Sequence, residues 1–347
     1  MSATGQDNGA LAAAIGEAAC LSGWPRARVK SIKRLSGGAS KESWAFDLVD
    51  HDGVTTPMVL RCQPADLRFT FTGLDSLASE ARLLCVARAG GVPVPEMYFT
   101  LPEGSAAGEG YAMARIAGET VGARILKSPD LAAARPGIAR QCGEILAHIH
   151  ALETHALEAR GITGLVSKSP QEELAALEAR YHSNEECRPV FDYAFSWLRD
   201  NLPADDRRTL VHGDFRNGNL VIGPDGIRSV LDWELAHIGS PVSDLGWLCV
   251  NSWRFQKPEN PVGGFGSRED MLAGYIAAGG APVDPVALHA WEVFQTLFWG
   301  VMCAEVGKTF ADGVRSVEGA MIARRASETE FDLLRLLLPD HEAWNAG

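Results

Sequence analysis

The sequence predicts an α+β fold in two lobes. A β-rich first third carries one main helix, and a longer, mostly helical remainder carries a single β-hairpin. Three observations predict it. Trp44, Phe46 and Leu48, and again Met58, Leu60 and Cys62, alternate with their neighbours at the period of a half-buried strand. From about Pro129 the apolar spacing turns helical, with Ile138, Cys142, Ile145, Leu146, Ile149 and Leu152 on one stripe. Between Leu210 and Trp247 a strand-like L-V, a polar loop, and two short apolar runs around Pro224-Asp225-Gly226 read as a hairpin. At 347 residues the chain exceeds one typical domain, so two lobes sharing a cleft are expected, 1–117 and 118–347.

In chain order, residues 1 to about 9 are polar, and Leu11 to Leu21 is an Ala-rich helix. Leu35-Ser36-Gly37-Gly38-Ala39-Ser40 then precedes the first alternating strand; by itself it is open between a hairpin turn and a glycine loop made for close backbone approach. In the strand Met58 to Cys62, Arg61 points away from the face of Met58, Leu60 and Cys62. Leu74 to Ala89 reads as a helix on which Glu80 shares the apolar face of Leu77 and Leu84, an unusual place for a carboxylate unless it is paired. The Gly90 to Pro95 run ends that helix. Strands follow around Met97 to Leu101 and Tyr111 to Ile116, leading to Ala117-Gly118. In the helical part, His148 and His150 are two apart, face different ways and read as structural histidines. Gln171 to Leu202 is a charged helical segment or helical hairpin. Trp291, Phe294, Leu297 and Phe298 form an apolar stripe that reads as core, part of it open to walling an acceptor pocket.

Composition excludes some classes. The net charge of −12 argues against a nucleic-acid partner, which would want a basic face. Seven scattered cysteines without a C-x-x-C pair read as small buried residues of a reducing compartment. The N-terminus lacks a basic n-region, Glu17 interrupts its only apolar stretch, and no run is long enough for a membrane span. A soluble, cytoplasmic protein is the expectation.

The chemistry concentrates after Leu210. The hairpin puts Asn219 at the start of one strand and Asp232 at the end of its neighbour, with Asp214 in the preceding loop. Two carboxylates and an amide oxygen at one edge of a β-ribbon suit Mg²⁺, which takes oxygen ligands and shares them with phosphates.

H-G-D-x-x-x-x-N followed by D-W-E resembles the catalytic and metal-binding loops of the aminoglycoside phosphotransferase-like small-molecule kinases, relatives of the protein kinases. The residue types concerned occur at roughly one in twenty each, so a chance match of the whole set is remote. The resemblance runs from about Ile32 to Glu305. With V-L-R at Arg61 and G-S-P-V-S-D-L-G-W at Gly239 to Trp247, it is nearest the branch related to the N-terminal kinase domain of eukaryotic acyl-CoA dehydrogenases.

That resemblance implies a bilobal protein-kinase-like fold with an antiparallel N-lobe sheet. It further implies ATP and Mg²⁺ as cofactors and a hydroxyl of a small molecule as acceptor, in this branch a hydroxyacyl-CoA. Asp214 becomes the residue that orients the acceptor hydroxyl, and Asn219 and Asp232 become the metal ligands. Ser36, Gly37, Gly38 and Ser40 become the phosphate loop, although they do not spell G-x-G-x-x-G. Arg61 stands where the ATP-pairing lysine is usual and pairs with Glu80, and backbone groups near Met113 to Ile116 hold adenine. His212 shapes the loop, and Asp244 braces it. Glu234 is open between a second metal and a strand terminator. A functional link to an acyl-CoA dehydrogenase, as a separate enzyme, belongs to the same implication. Two other readings stand beside it. One is an aminoglycoside-type antibiotic kinase, for which Glu172, Glu173, Glu185 and Glu186 could supply acidic contacts. The other is a non-catalytic nucleotide-binding pseudokinase, suggested by Arg61 and the irregular glycine loop.

Overall fold

The structure is a computed structural model that describes residues 8–35, 41–63, 74–184, 186–204, 207–311, 313 and 317–338. The chain forms two compact units that interleave along the sequence. The first takes Met1–Gly118, Leu152–Val166 and Arg228–His237; the second takes Glu119–Ala151, Ser167–Ile227 and Ile238–Gly347.

The first unit is built on a five-stranded sheet. Helix α1 (Asn8–Leu21) precedes β1 (Arg28–Arg34), β2 (Glu42–Val49) and β3 (Thr55–Gln63); helix α2 (Leu77–Ala89) then leads to β4 (Met97–Thr100) and β5 (Glu109–Ala114). The strand order is β1-β2-β3-β5-β4, with antiparallel pairing throughout. Period-two alternation divides the sheet's side chains between its faces. Trp44, Phe46, Leu48, Met58, Leu60 and Cys62 pack with Leu11, Ile15 and Ala18 of α1 into one core cluster. Each such side chain contributes about 1.5–3 kcal/mol by leaving water, which holds α1 to the sheet. Arg61, opposite Tyr111 in the β3–β5 register, lies out of phase with that core.

Helix α2 starts three residues later than its apolar spacing suggests, at Leu77. Ser76 caps it, its Oγ accepting the Ser79 N–H at 3.1 Å. The Asp75 carboxylate meanwhile accepts the hydroxyls of Ser79 (3.0 Å) and Thr163 (2.9 Å), fastening the helix start to the 152–166 segment. The strand expected over Tyr111 to Ile116 stops at Ala114, whose N–H turns to Glu96 O at 2.8 Å.

The second unit holds α3 (Gly122–Ile125), α4 (Arg135–His150), α5 (Pro170–Ser183) and α6 (Pro189–Asn201), the last two resolving the charged Gln171 to Leu202 segment into two helices. Strands β6 (Thr209–Val211), β7 (Leu220–Gly223), β8 (Gly226–Val230) and β9 (His237–Gly239) pair as β6–β9 and as the β7–β8 hairpin. Then come α7 (Pro241–Cys249), α8 (Arg268–Ala277), α9 (Pro285–Ala311), α10 (Val317–Ala323) and α11 (Arg325–Leu337). Helices α4 and α8 touch backbone to backbone. A Cβ at Gly143 would stand 1.9 Å from Met271 O, and one at Gly274 would stand 2.1 Å from Arg140 O. Helix α9 is the central pillar, packed on α7 and α11 through buried Trp291, Val293, Leu297 and Val301. No described helix is long and apolar enough to cross a membrane.

Candidate active site

The residues expected to form the catalytic loop, His212, Asp214 and Asn219, lie in the second unit. After β6 the chain turns through His212 and Gly213, the latter at φ +77°, a left-handed conformation that glycine adopts without strain. Asp244, in the first turn of α7 and buried, holds this turn. Its Oδ2 accepts the His212 N–H at 2.8 Å, and its Oδ1 accepts the Gly213 N–H at 2.9 Å. His150 Nε2 stands 3.1 Å from Asp244 Oδ2, and Nδ1 of the same ring is 2.9 Å from the Tyr275 hydroxyl. Burial opposes the charge on Asp244. The His150 hydrogen bond, the His150 and His212 rings and the backbone N–H outweigh it, so the carboxyl is held below its ordinary range. His212 is fully buried, and its Nδ1 accepts the Asp214 N–H at 3.1 Å.

Asp214 is thereby aimed by its own backbone and then fixed by three side chains. Oδ1 accepts from Arg216 Nε (2.8 Å) and Trp247 Nε1 (2.9 Å), and Oδ2 accepts from Asn219 Nδ2 (2.6 Å). Asn219 Nδ2 also donates to the Asp214 carbonyl at 2.9 Å. With its nitrogen committed to Asp214, the Asn219 amide presents Oδ1 as a hard oxygen donor, the type Mg²⁺ takes. The Arg216 guanidinium lies 4.5 Å from the Trp253 ring centre, which keeps it over the aromatic pair Trp247–Trp253 beside Asp214.

The residues expected on the nucleotide side fall within the first unit. Ser36, Gly37, Gly38 and Ser40 lie outside the described residues. Arg61 Nε is 3.1 Å from Glu80 Oε1, an ion pair too misaligned for a hydrogen bond. Its Nη2 reaches Asp232 Oδ1 at 2.5 Å and Glu234 Oε2 at 3.3 Å. Glu80 is 1 % exposed and also accepts the Tyr111 hydroxyl at 2.8 Å. Burial works against the Arg61 charge, yet the carboxylates of Glu80, Asp232 and Glu234 raise its pKa well above the ordinary value, so it stays a cation. Asp232 has φ +64°, a conformation Asp tolerates and one that marks strained functional loops. Its segment is tied down by the Val230 N–H on Pro93 O (2.7 Å) and by Arg228 Nη1 on Ala117 O (2.8 Å). Asp232 offers the carboxylate oxygens a divalent cation needs, so the donor types of Asp232 and Asn219 fit Mg²⁺.

Several residues escaped the sequence reading. Lys41 Nζ sits 2.9 Å from Glu80 Oε2 and 3.2 Å from Glu234 Oε2. Tyr111, Arg216, Trp247 and His150 also hold the site. Of these, Arg216 and Trp247 carried a local signal, the first within H-G-D-F-R-N-G-N and the second as the last residue of G-S-P-V-S-D-L-G-W.

Residues 31–282 match APH, the phosphotransferase enzyme family. Among curated relatives, human acyl-CoA dehydrogenase family member 11 is 29 % identical over 262 residues, 72 % of this chain and 32 % of that protein. The chain spans between 20 % and 32 % of the length of the curated relatives it matches. Among solved structures, a Ralstonia eutropha JMP134 protein provisionally assigned as an aminoglycoside phosphotransferase superposes with TM-score 0.71 at 21 % identity, covering 93 % of this chain and 96 % of that one. The GDP and kanamycin complex of APH(2")-IIIa superposes with TM-score 0.65 at 16 % identity, covering 91 % and 98 %. Sheet, helices and hairpin are thus those of a kinase-like fold, and the chain belongs to the phosphotransferase enzyme family.

Proposed function

We propose that this chain moves the γ-phosphate of ATP, with Mg²⁺, to a hydroxyl of a small-molecule acceptor. The observation that carries the reading is the Asp214 carboxylate, fixed by donors from Arg216, Trp247 and Asn219 on a loop braced by Asp244. A carboxylate so directed orients an acceptor hydroxyl and takes its proton late, as suits a loose phosphoryl-transfer transition state in which positioning outweighs proton abstraction. Asn219 and Asp232 would hold Mg²⁺, which would supply positive charge against the negative charge that develops on the phosphates. Arg61, positioned by Glu80, and the Ser36, Gly37, Gly38 and Ser40 backbone would hold the nucleotide. The intact set of Asp214, Asn219 and Asp232 weighs against a non-catalytic module.

For the acceptor we favour a hydroxyacyl-CoA or a related hydroxy metabolite, with a functional link to an acyl-CoA dehydrogenase. The relatives' names support this choice. Two of the four acidic residues that could greet a cationic aminoglycoside, Glu172 and Glu186, are otherwise engaged. Glu172 accepts the Ser169 N–H at 2.7 Å in the capping box of α5, and Glu186 pairs with Arg188 at 2.6 Å; Glu185 lies outside the described residues. A panel of hydroxyacyl thioesters and kanamycin-like compounds, each with MgATP, tests it. Phosphorylation of a thioester and of no aminoglycoside is expected. Phosphorylation of aminoglycosides alone would replace this acceptor, and failure to bind nucleotide would end the kinase reading.

A further inference from the structure

Five charged side chains meet in the first unit, two cations (Lys41 and Arg61) and three carboxylates (Glu80, Asp232 and Glu234). We infer that Lys41 is a second phosphate-binding cation of the nucleotide site, beside Arg61, whose guanidinium also braces the carboxylates. The inference rests on the kinase reading and extends it to a residue that reading leaves out.

The two cations are used differently. Arg61 spans all three carboxylates, with Nε on Glu80 and one Nη on both Asp232 and Glu234. A planar fork shared among three acids is a brace, and it fixes the direction of Asp232. Lys41 touches two, Glu80 Oε2 and Glu234 Oε2, and its side chain is 13 % exposed. An ammonium has three donors, so one remains for an oxygen arriving from outside the cluster. Glu80 divides its oxygens accordingly, Oε1 to the Tyr111 hydroxyl and Arg61, Oε2 to Lys41.

Lys41 and Glu80 thus form the lysine–glutamate pair that in protein kinases aims an ammonium at the phosphates, here with the lysine at the entry to β2 and not on β3. Lys41 also directly follows the Ser36 to Ser40 stretch that the kinase reading makes the phosphate loop. The cluster carries one more formal negative than positive charge, so Lys41 is held by attraction and not strained into place. Glu234 acquires a role as well, as the second anchor of Lys41.

The test is nucleotide binding by the full chain, measured by titration calorimetry with MgATP, MgADP and adenosine. Lys41→Met should weaken MgATP and MgADP about tenfold, the equivalent of ~1.4 kcal/mol. Adenosine, which has no phosphate, should bind as to the wild type, and Lys41→Arg should recover most of the phosphate affinity. Lys41→Gln, which keeps hydrogen bonds to the carboxylates without the charge, serves should Lys41→Met not fold. Unchanged MgATP affinity in a folded variant overturns the inference alone. So does an equal loss for adenosine, which would make Lys41 structural. A wild type that binds none of the three overturns the kinase reading and this inference with it.

Discussion

At the scale of residues, Glu80 is among the most deeply buried charged groups of the described residues. A carboxylate that is 1 % exposed would cost several kcal/mol if unpaired, and here Lys41, Arg61 and Tyr111 all point at it. Glu80→Ala and Arg61→Ala should each lower stability by about 3 kcal/mol in urea unfolding, because each strands a buried partner. The double variant should lose much less than the sum; additive losses would show that the two are not coupled. Arg61→Lys should keep partial activity, since lysine supplies the charge but not the fork between three acids. The Arg61 and Glu80 neighbourhood was legible because strand phase and helix phase each put one charge where apolar residues belong. Lys41 was not. A lysine after Gly-Gly-Ala-Ser reads as a solvated surface residue, and only the ion pairs of its ammonium with Glu80 and Glu234 reveal its partners. The contact of Trp247 with Asp214 was hidden for a similar reason, since its indole reaches the carboxylate only through the way α7 faces the loop.

At the scale of elements, periodicity located the strands and most helices, whereas their ends were set by side-chain hydrogen bonds that periodicity does not report. Ser76 is an example, cutting α2 back to Leu77. The α4–α8 contact was equally illegible, because a glycine within a helical stripe does not say which backbone lies against it. Gly143→Ala should cost about 1–3 kcal/mol or more, since the new methyl meets the backbone carbonyl of Met271, which cannot move aside without shifting α8. A thermal midpoint unchanged from the wild type would refute that contact.

Helix α11 carries a pH signature. Burial pushes the Asp332 carboxyl up to about 6, only partly opposed by the Asn251 hydrogen bond and the charges of Arg254 and Arg335. A carboxyl raised above its unfolded value of 3.8 holds its proton more tightly in the folded chain. Its penalty is therefore absent below about pH 4, grows towards about pH 6 and is complete above that. Asp332→Asn, which keeps the shape, should raise stability by about 2 kcal/mol near neutral pH and by almost nothing at about pH 3.5. An equal effect at both pH values would contradict the assignment.

At the scale of the whole molecule, each of the two units draws on distant parts of the chain. Asp214, Asn219, His212 and Asp244 belong to the second, and Arg61, Glu80, Asp232 and Glu234 belong to the first. The motif from His212 to Trp247 was readable because it packs catalytic chemistry into one contiguous stretch. The acceptor was not readable, because residues that recognise a small molecule follow no fixed spacing in a sequence.

The central claim is that Asp214 directs phosphoryl transfer to a hydroxyl. It is tested most directly by following the phosphate monoester of an identified acceptor by phosphorus NMR, with wild type and Asp214→Asn compared at matched MgATP saturation. The Asn variant should bind MgATP nearly as well as the wild type and form product about 10²–10⁴-fold more slowly, since the carboxylate that orients the hydroxyl is gone. Full product formation by Asp214→Asn, at wild-type rate, would contradict the account.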